Sequence, residues 1–393
     1  MDTTTPLRDV DAVRLPDLGP RVSLLYAATY LHYGFVAFLP VWLASTGSTP
    51  GEIGTLMAIP LILRLLTVAP FAAWCGRRGL VRSAIAATAL GAAVLAIGLW
   101  LAPGYAGRIV AVVAFSIVWD QLPVLTDGYA AMAVRRQSLD FGRLRVWGSI
   151  AVVASNAAAG WLLGQLGTAT LPFLIAAFLL LPPIVAPALP GDRHLMHEPP
   201  EAGGGWRELL RDRVLVGSLI AASLIMGSHG VLISFGAIQW NAAGISSGWI
   251  GILNAISVAS EILGFVFGAR LLGTRDPRWM IALASLVAAL RWTIMALQPG
   301  LPVLVATQLL QGISATGAIL APMLLIAARV PARLASSAQG LNAVFLGAVL
   351  AVVTAGSGLL WRFGASDAYV GMAVLALLAL GVLAWERNAA RDL

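Results

Sequence analysis

Apolar runs of about twenty residues alternate along the chain with short breaks rich in Arg, Pro and Gly, and twenty apolar residues in helical form are long enough to cross a bilayer. Twelve runs are marked out, at 21–45, 51–74, 82–101, 107–131, 144–166, 171–189, 213–240, 248–270, 279–297, 301–328, 337–361 and 367–385. The pattern predicts an all-α integral membrane protein. Breaks such as Pro103 to Gly107 are so short that successive helices must be antiparallel neighbours. One connection is long: Pro190 to Asp212 contains HEPPEAGGGW, the composition of a flexible linker. It divides the chain into a segment at 1–20, a six-helix bundle at 21–189, the linker at 190–212, a second six-helix bundle at 213–385 and a tail at 386–393.

The two sets of six repeat one plan. TPGEIGTLMAIPLILRLL from Thr49 matches SSGWIGILNAISVASEIL from Ser246 at an offset of 197 residues, so that Gly51, Ile53, Gly54, Leu56, Ala58 and Ile59 recur as Gly248, Ile250, Gly251, Leu253, Ala255 and Ile256. At the same offset Arg64 falls on Glu261 and His32 on His229. Two pseudo-symmetric bundles joined by a linker are what a rocking transporter needs, with a substrate site between them near the bilayer midplane.

Composition sharpens this reading. The chain is 59% hydrophobic and 11% charged with a mean hydropathy of +0.87, against roughly 45–50% and about 25% in soluble domains. All 25 basic residues are Arg. Without Lys there is no Walker lysine and no Schiff-base lysine, which excludes ATP-driven transport by this chain alone. The net charge of +7 is a topology signal and not a nucleic-acid footprint: 21 Arg fall in segments on the side of the N-terminus, only Arg108 and Arg362 on the other, and Arg64 and Arg291 within the spans. The positive-inside rule then places both termini in the cytoplasm and the chain in the inner membrane. Met1 to Pro20 holds four Asp and two Arg and no apolar core, so no cleavable signal is expected.

Tryptophans are expected in two interfacial belts, Trp42, Trp100, Trp161, Trp240, Trp249 and Trp361 near outer ends and Trp74, Trp147, Trp206, Trp279 and Trp385 near inner ones. Small residues, as in Ala157 to Gly167, favour close helix packing. The single cysteine, Cys75, forms no internal disulfide. His194 and His197 with Asp192 and Glu198 read either as a metal cluster or as a solvated polar loop; the second reading is favoured, and neither a metal nor a cofactor is expected.

A charge at mid-membrane costs roughly 2.5–3.5 kcal/mol, so such residues are kept for a purpose. Asp127 lies in the inner part of the fourth span and Arg145 starts the fifth, eighteen positions later, placed to pair across the helices. Asp120 is two turns before Asp127 on roughly the same face. Asp120 and Arg64 each lie thirteen residues from the outer surface; they form a structural ion pair, or Arg64 receives a substrate carboxylate. In the second bundle Glu261, Arg291 and His229 are near the midplane, where a proton on Glu261 would compete with its pairing to Arg291. His229 relays that proton or donates to a backbone carbonyl. His32 and Gln311 complete the substrate-binding candidates, with Asp127, Arg145, Arg64 and Asp120.

With these features the chain resembles the major facilitator superfamily, most nearly its phenylpropionate permease branch and more distantly lactose permease. The likeness runs from FLPVWL at Phe38 through SHG at Ser228, SEI at Ser260 and LRW at Leu290 to AQGLNA at Ala338, and is most specific in LTDGYAAMAVRRQSLDFGRLRVWGS, Leu125 to Ser149. It implies that Asp127 and Arg145 are substrate-site residues, the alternative being a clamp for the inner loop. The tenth span departs from the pattern: it holds Gln311 and no titratable group between Pro302 and Ala328, where the relatives place histidine.

The resemblance implies a secondary active transporter, expected to act as a monomer, that moves a small organic solute, an anionic or aromatic carboxylate, with protons. A proton-driven exporter of hydrophobic compounds and a sugar or nucleoside symporter are the rivals within transport. An enzyme would need convergent nucleophile, base or metal ligands, and a sensor an output domain; neither is visible in the sequence.

Overall fold

The computed structural model describes residues 17–192, 205–272 and 275–389. Among these residues, twelve helices are long and apolar enough to cross a membrane: α1 (Leu18–Ser45), α2 (Pro50–Arg78), α3 (Val81–Leu101), α4 (Gly104–Gln137), α5 (Phe141–Leu166), α6 (Thr168–Ala188), α7 (Arg213–Ala242), α8 (Ser247–Gly268), α9 (Pro277–Ala296), α10 (Leu301–Arg329), α11 (Ser337–Leu360) and α12 (Ala365–Trp385). The described residues contain no strand.

The polar breaks start and stop these helices. Thr49 and Glu52 form a reciprocal capping box with Pro50 in the first turn, and Gly79 ends α2 in the left-handed conformation at φ 63°. Asp140, Asp212 and Asp276 accept backbone N–H groups at the starts of α5, α7 and α9. Four spans are interrupted along their length: α1 at Leu31–His32, α4 at Asp120, α6 at Leu180, and α7 at Ser228–His229 followed by a π-helical turn at Leu232–Gly236. Such breaks free backbone groups, which is tolerated in a membrane where protein or water meets them. One is met directly, since the N–H of Gly34 donates to Ser155 Oγ of α5 at 3.0 Å.

Within the first bundle α1 packs on α5 and α4, and α3 on α4 and α6; within the second, α8 packs on α10, α9 on α10 and α12, and α7 on α11 and α12. The bundles meet where α5 crosses α8, where α2 crosses α11, and where the far ends of α1 and α7 touch. The repeated glycines make both helix crossings possible. A Cβ on Gly251 would run into Asn156 O and lie 3.0 Å from Gly160 Cα, and one on Gly54 would lie 3.0 Å from the backbone N of Gly358. These pairs sit toward the end of the molecule remote from the termini, here the far end.

That contact also corrects the expected tryptophan belts. Trp42 and Trp240 are buried, because the α1 and α7 ends that carry them pack at the far-end junction, whereas Trp74, Trp100, Trp147, Trp161, Trp206, Trp249, Trp279 and Trp385 are exposed. Trp361 stacks on Phe235 at 4.6 Å.

At the terminal end, Arg82 donates to Leu189 O and its backbone N–H to Asp192, which fastens the start of the linker to the first bundle. A short helix, Trp206–Arg211, is fastened to the second by Arg333–Glu208 at 2.8 Å and by Leu209 packing with Leu334 and Leu341; Arg329 pairs with Asp212 at 3.3 Å beside it. His194, His197 and Glu198 of the candidate metal cluster lie outside the described residues, as do residues 1–16 and 390–393 of the two terminal segments. No group of metal-binding side chains occurs among the described residues.

Candidate functional site

In the first bundle the charged candidates gather around one face of α1. Tyr26, Tyr30 and Tyr33 follow at intervals of four and three, which places them along one side of the helix. Their rings are stacked in sequence, with centroids 6.2 Å and 5.1 Å apart. Tyr33 then contacts Trp119 of α4 at 5.2 Å, and Trp119 stacks on Phe115 at 5.7 Å. At the terminal end of this row, Arg145 Nη1 donates to Asp127 Oδ1 at 2.8 Å and to Tyr30 OH at 3.3 Å, while Tyr26 OH donates to the same carboxylate oxygen at 2.9 Å. The guanidinium also lies over the Tyr30 ring at 5.9 Å. The expected pair is thus formed, and its side chains remain 47% and 36% exposed.

Deeper in, the arrangement differs from expectation. Arg64 and Asp120 are within electrostatic reach of each other and of Tyr33, but no ion pair joins them, and among the described residues Arg64 has no hydrogen bond. Asp120 sits at the break of α4, buried, with Oδ2 unpartnered. The break is the physical reason: the chain turns at Asp120, so counting residues from the surface overstates how well the two side chains line up. His32, at the break of α1, accepts through Nε2 from Trp119 Nε1 and lies beside Tyr33 at 4.8 Å; its Nδ1 is buried without a partner. His32 therefore forms part of the aromatic wall.

The second cluster is of another kind. Gln311 Nε2 donates to Glu261 Oε1 at 2.8 Å. Arg291 is fully buried and pairs not with Glu261 but with the amide oxygen of Gln308 at 3.2 Å, its guanidinium 4.5 Å from the Trp292 ring. Its Nε and Nη1 have no hydrogen-bond partner among the described residues. The direct Glu261–Arg291 pair is absent because two glutamines of α10 each take one of the charges. His229 Nδ1 lies 3.0 Å from Ile225 O, which is the carbonyl contact that the sequence allows, and its ring meets Trp292 edge-on at 5.0 Å. Tyr369 of α12 stacks on the other side of Trp292 at 6.0 Å with its hydroxyl buried and unpartnered.

The MFS_1 like family model matches residues 24–370. The chain belongs to this family. Across 91% of its length the transporter is 28% identical to a protein of Escherichia coli (strain K12) described as a probable 3-phenylpropionic acid transporter, covering 95% of that protein. It is also 28% identical to the maltose permease of Geobacillus stearothermophilus, over 91% of the chain and 93% of the permease. Solved structures share its fold: a point mutant of the nucleoside transporter NupG, with a TM-score of 0.82 at 14% identity over 93% of this chain and 99% of that one, and a bacterial homologue of the human lysosomal transporter Spinster, with a TM-score of 0.69 at 15% identity over 95% and 96%. Relatives and neighbours alike are membrane transporters, so the protein is a multi-pass transporter of the major facilitator type and not an enzyme.

The charged candidates of this transporter are visible one at a time in the sequence; their partners are not. Sequence reasoning misses Tyr26, Tyr30, Tyr33, Trp119, Gln308 and Tyr369. For the tyrosines a signal exists, since three of the six in the chain fall within eight residues at helical spacing. Nothing in the sequence marks Gln308 or Tyr369, whose roles depend on how α10 and α12 pack on α9.

Proposed function

We propose that the protein carries a small organic anion, an aromatic carboxylate, across the inner membrane by alternating access, coupled to protons, with substrate held between bundles at 21–189 and 213–385 and both termini in the cytoplasm. The observation that carries this reading is the row of aromatic rings from Tyr26 to Trp119 within electrostatic reach of Arg64, an exposed cation with no hydrogen-bonded counter-charge among the described residues. A flat ring stacks on such a row and a carboxylate meets such a cation by charge-assisted hydrogen bonds. Asp127 and Arg145 close the terminal side of the row. His32 shapes its wall, and Asp120 beside Arg64 positions that cation. Similarity to a probable 3-phenylpropionic acid transporter agrees with this substrate class.

With the termini in the cytoplasm, the far-end glycine crossings are the outer closure and the exposed Asp127–Arg145 pair faces inward, so this conformation is the inward-facing one. Glu261 is the proton carrier, with Arg291 and His229 setting its surroundings and Gln311 holding it. It is the one acid of α8 at mid-depth, and a single neutral donor holds it, a bond that either protonation state of the carboxyl accepts. Uptake of labelled 3-phenylpropionate, maltose and uridine by proteoliposomes under an imposed pH gradient tests the reading. Gradient-dependent accumulation of the aromatic acid alone is expected; accumulation of maltose or uridine instead would overturn it.

A further inference from the structure

The second bundle carries a groove of about 420 Å³ between α8 and α9, floored by α10. It has no part in the substrate site. Its exposed side chains are apolar, Leu263 and Phe267 from α8 and Leu309 and Ile313 from α10, so it faces hydrocarbon and not the polar space around Glu261. Gly264 and Gly312 bring the backbones of α8 and α10 into close contact and Gly317 brings α10 against α9, so the groove is a surface channel over a closely packed floor.

The groove has polarity along its length. Its terminal end is lined by Arg275 and Trp279, with the guanidinium 5.3 Å from the indole. Arg275 has no ion pair or hydrogen bond among the described residues. The adjacent acid, Asp276, is already engaged by Arg278 Nε at 2.8 Å and Nη2 at 2.5 Å, and those bonds hold its carboxyl below the usual range. A neighbouring groove of about 350 Å³ on the other side of Trp279 contains that Asp276–Arg278 pair and is neutral at its mouth. One groove is therefore apolar with an uncompensated cation at headgroup depth, and the other is not.

We propose that the α8–α9–α10 groove binds one anionic phospholipid from the leaflet on the terminal side, with an acyl chain along α10 and its phosphate on Arg275. Cation and tryptophan at the mouth match a phosphate at the membrane interface. Length and apolar lining match an acyl chain. The deep end of the groove is formed by Ser260 and Gly312, the sequence neighbours of Glu261 and Gln311, and Ser260 Oγ donates to Gln308 O at 3.0 Å. A chain seated there fills the space behind the Gln311–Glu261 bond and supports the α8–α10 contact that holds it.

Lipid retention tests the site. Full-length protein is reconstituted in nanodiscs of phosphatidylethanolamine with phosphatidylglycerol, extracted into mild detergent, and its bound lipid counted by native mass spectrometry. One phosphatidylglycerol per chain is expected. Arg275→Ala should lower the preference for phosphatidylglycerol over phosphatidylethanolamine about fivefold, the effect of one interfacial arginine. Arg77→Ala, an exposed arginine of the first bundle, should leave it unchanged. Ile313→Trp, which fills the groove, should abolish retention of either lipid. Equal retention of both lipids by the unaltered chain overturns the proposal, as does unchanged preference in Arg275→Ala, a surface substitution that leaves the helix packing intact.

Discussion

The two bundles differ in how an acid and an arginine meet: the first holds a direct pair at the terminal side of its unpaired Arg64 and Asp120, and the second has none among the described residues. In the first, acid and base meet directly: Asp127 and Arg145 are 2.8 Å apart, bracketed by tyrosine hydroxyls, and both remain accessible. In the second, acid and base are kept apart by amides, Gln311 on Glu261 and Gln308 on Arg291, and the arginine is sealed off completely. Even the paired histidines differ. His32 accepts from Trp119, whereas Trp292, which meets His229 edge-on, donates to Ser228 and not to the histidine. A half whose charges already satisfy each other at an open surface suits the binding of a solute that replaces one partner. A half whose acid is held by a neutral donor suits a proton that comes and goes. The shared plan thus supplies positions, and the division of labour comes from what fills them.

Glu261→Gln is the strongest test of that division. It mimics a permanently protonated acid and should abolish uphill accumulation while counterflow in the same vesicles persists; intact accumulation would move the proton to another group, with Asp120 next. Arg64→Ala comes second. Loss of a charge-assisted contact worth about 1.5–3 kcal/mol should weaken substrate affinity roughly tenfold to a hundredfold, measured by ligand binding to purified protein, and an unchanged dissociation constant would remove Arg64 from the site.

Asp127→Asn and Arg145→Ala should each weaken binding by a smaller factor, about tenfold at most. Because the pair is more than a third exposed, its contribution to stability is at most about 1 kcal/mol and the melting temperature should barely move. Large melting shifts with normal affinity would make the pair a clamp. The smallest effect is expected from Arg64→Leu, Asp120→Leu and their combination. Without an ion pair, their stability changes should add to within about 0.5 kcal/mol, and a larger coupling would show that the two meet in another conformation of the cycle.

Element by element, the span boundaries were legible because each rests on a local transition from apolar run to capping or breaking residue: Thr49-Pro50-Gly51 before α2, Asp140 before α5, Asp276-Pro277 before α9. The repeat glycines were legible as a pattern, and the tertiary structure gave them a purpose, since Gly54 meets Gly358 and Gly251 meets Gly160 across the two crossings. Asp127 with Arg145 could be read in advance because one short loop joins their helices. Arg64 with Asp120, and Glu261 with Arg291, could not be judged this way, because a helix break redirects a side chain and an interposed glutamine takes up a charge without changing the count of residues.

The sequence by itself determined that this is a twelve-span membrane protein with ionisable groups inside its spans, because hydropathy and helix caps are local properties of the chain. Only the tertiary structure decided which charges touch, that three tyrosines and Trp119 form one wall, that Arg291 is matched by Gln308, and that Trp42 and Trp240 are buried. Those outcomes depend on the packing of helices far apart in the chain, where a rotation of one helix exchanges one partner for another at little cost to its hydrophobic burial.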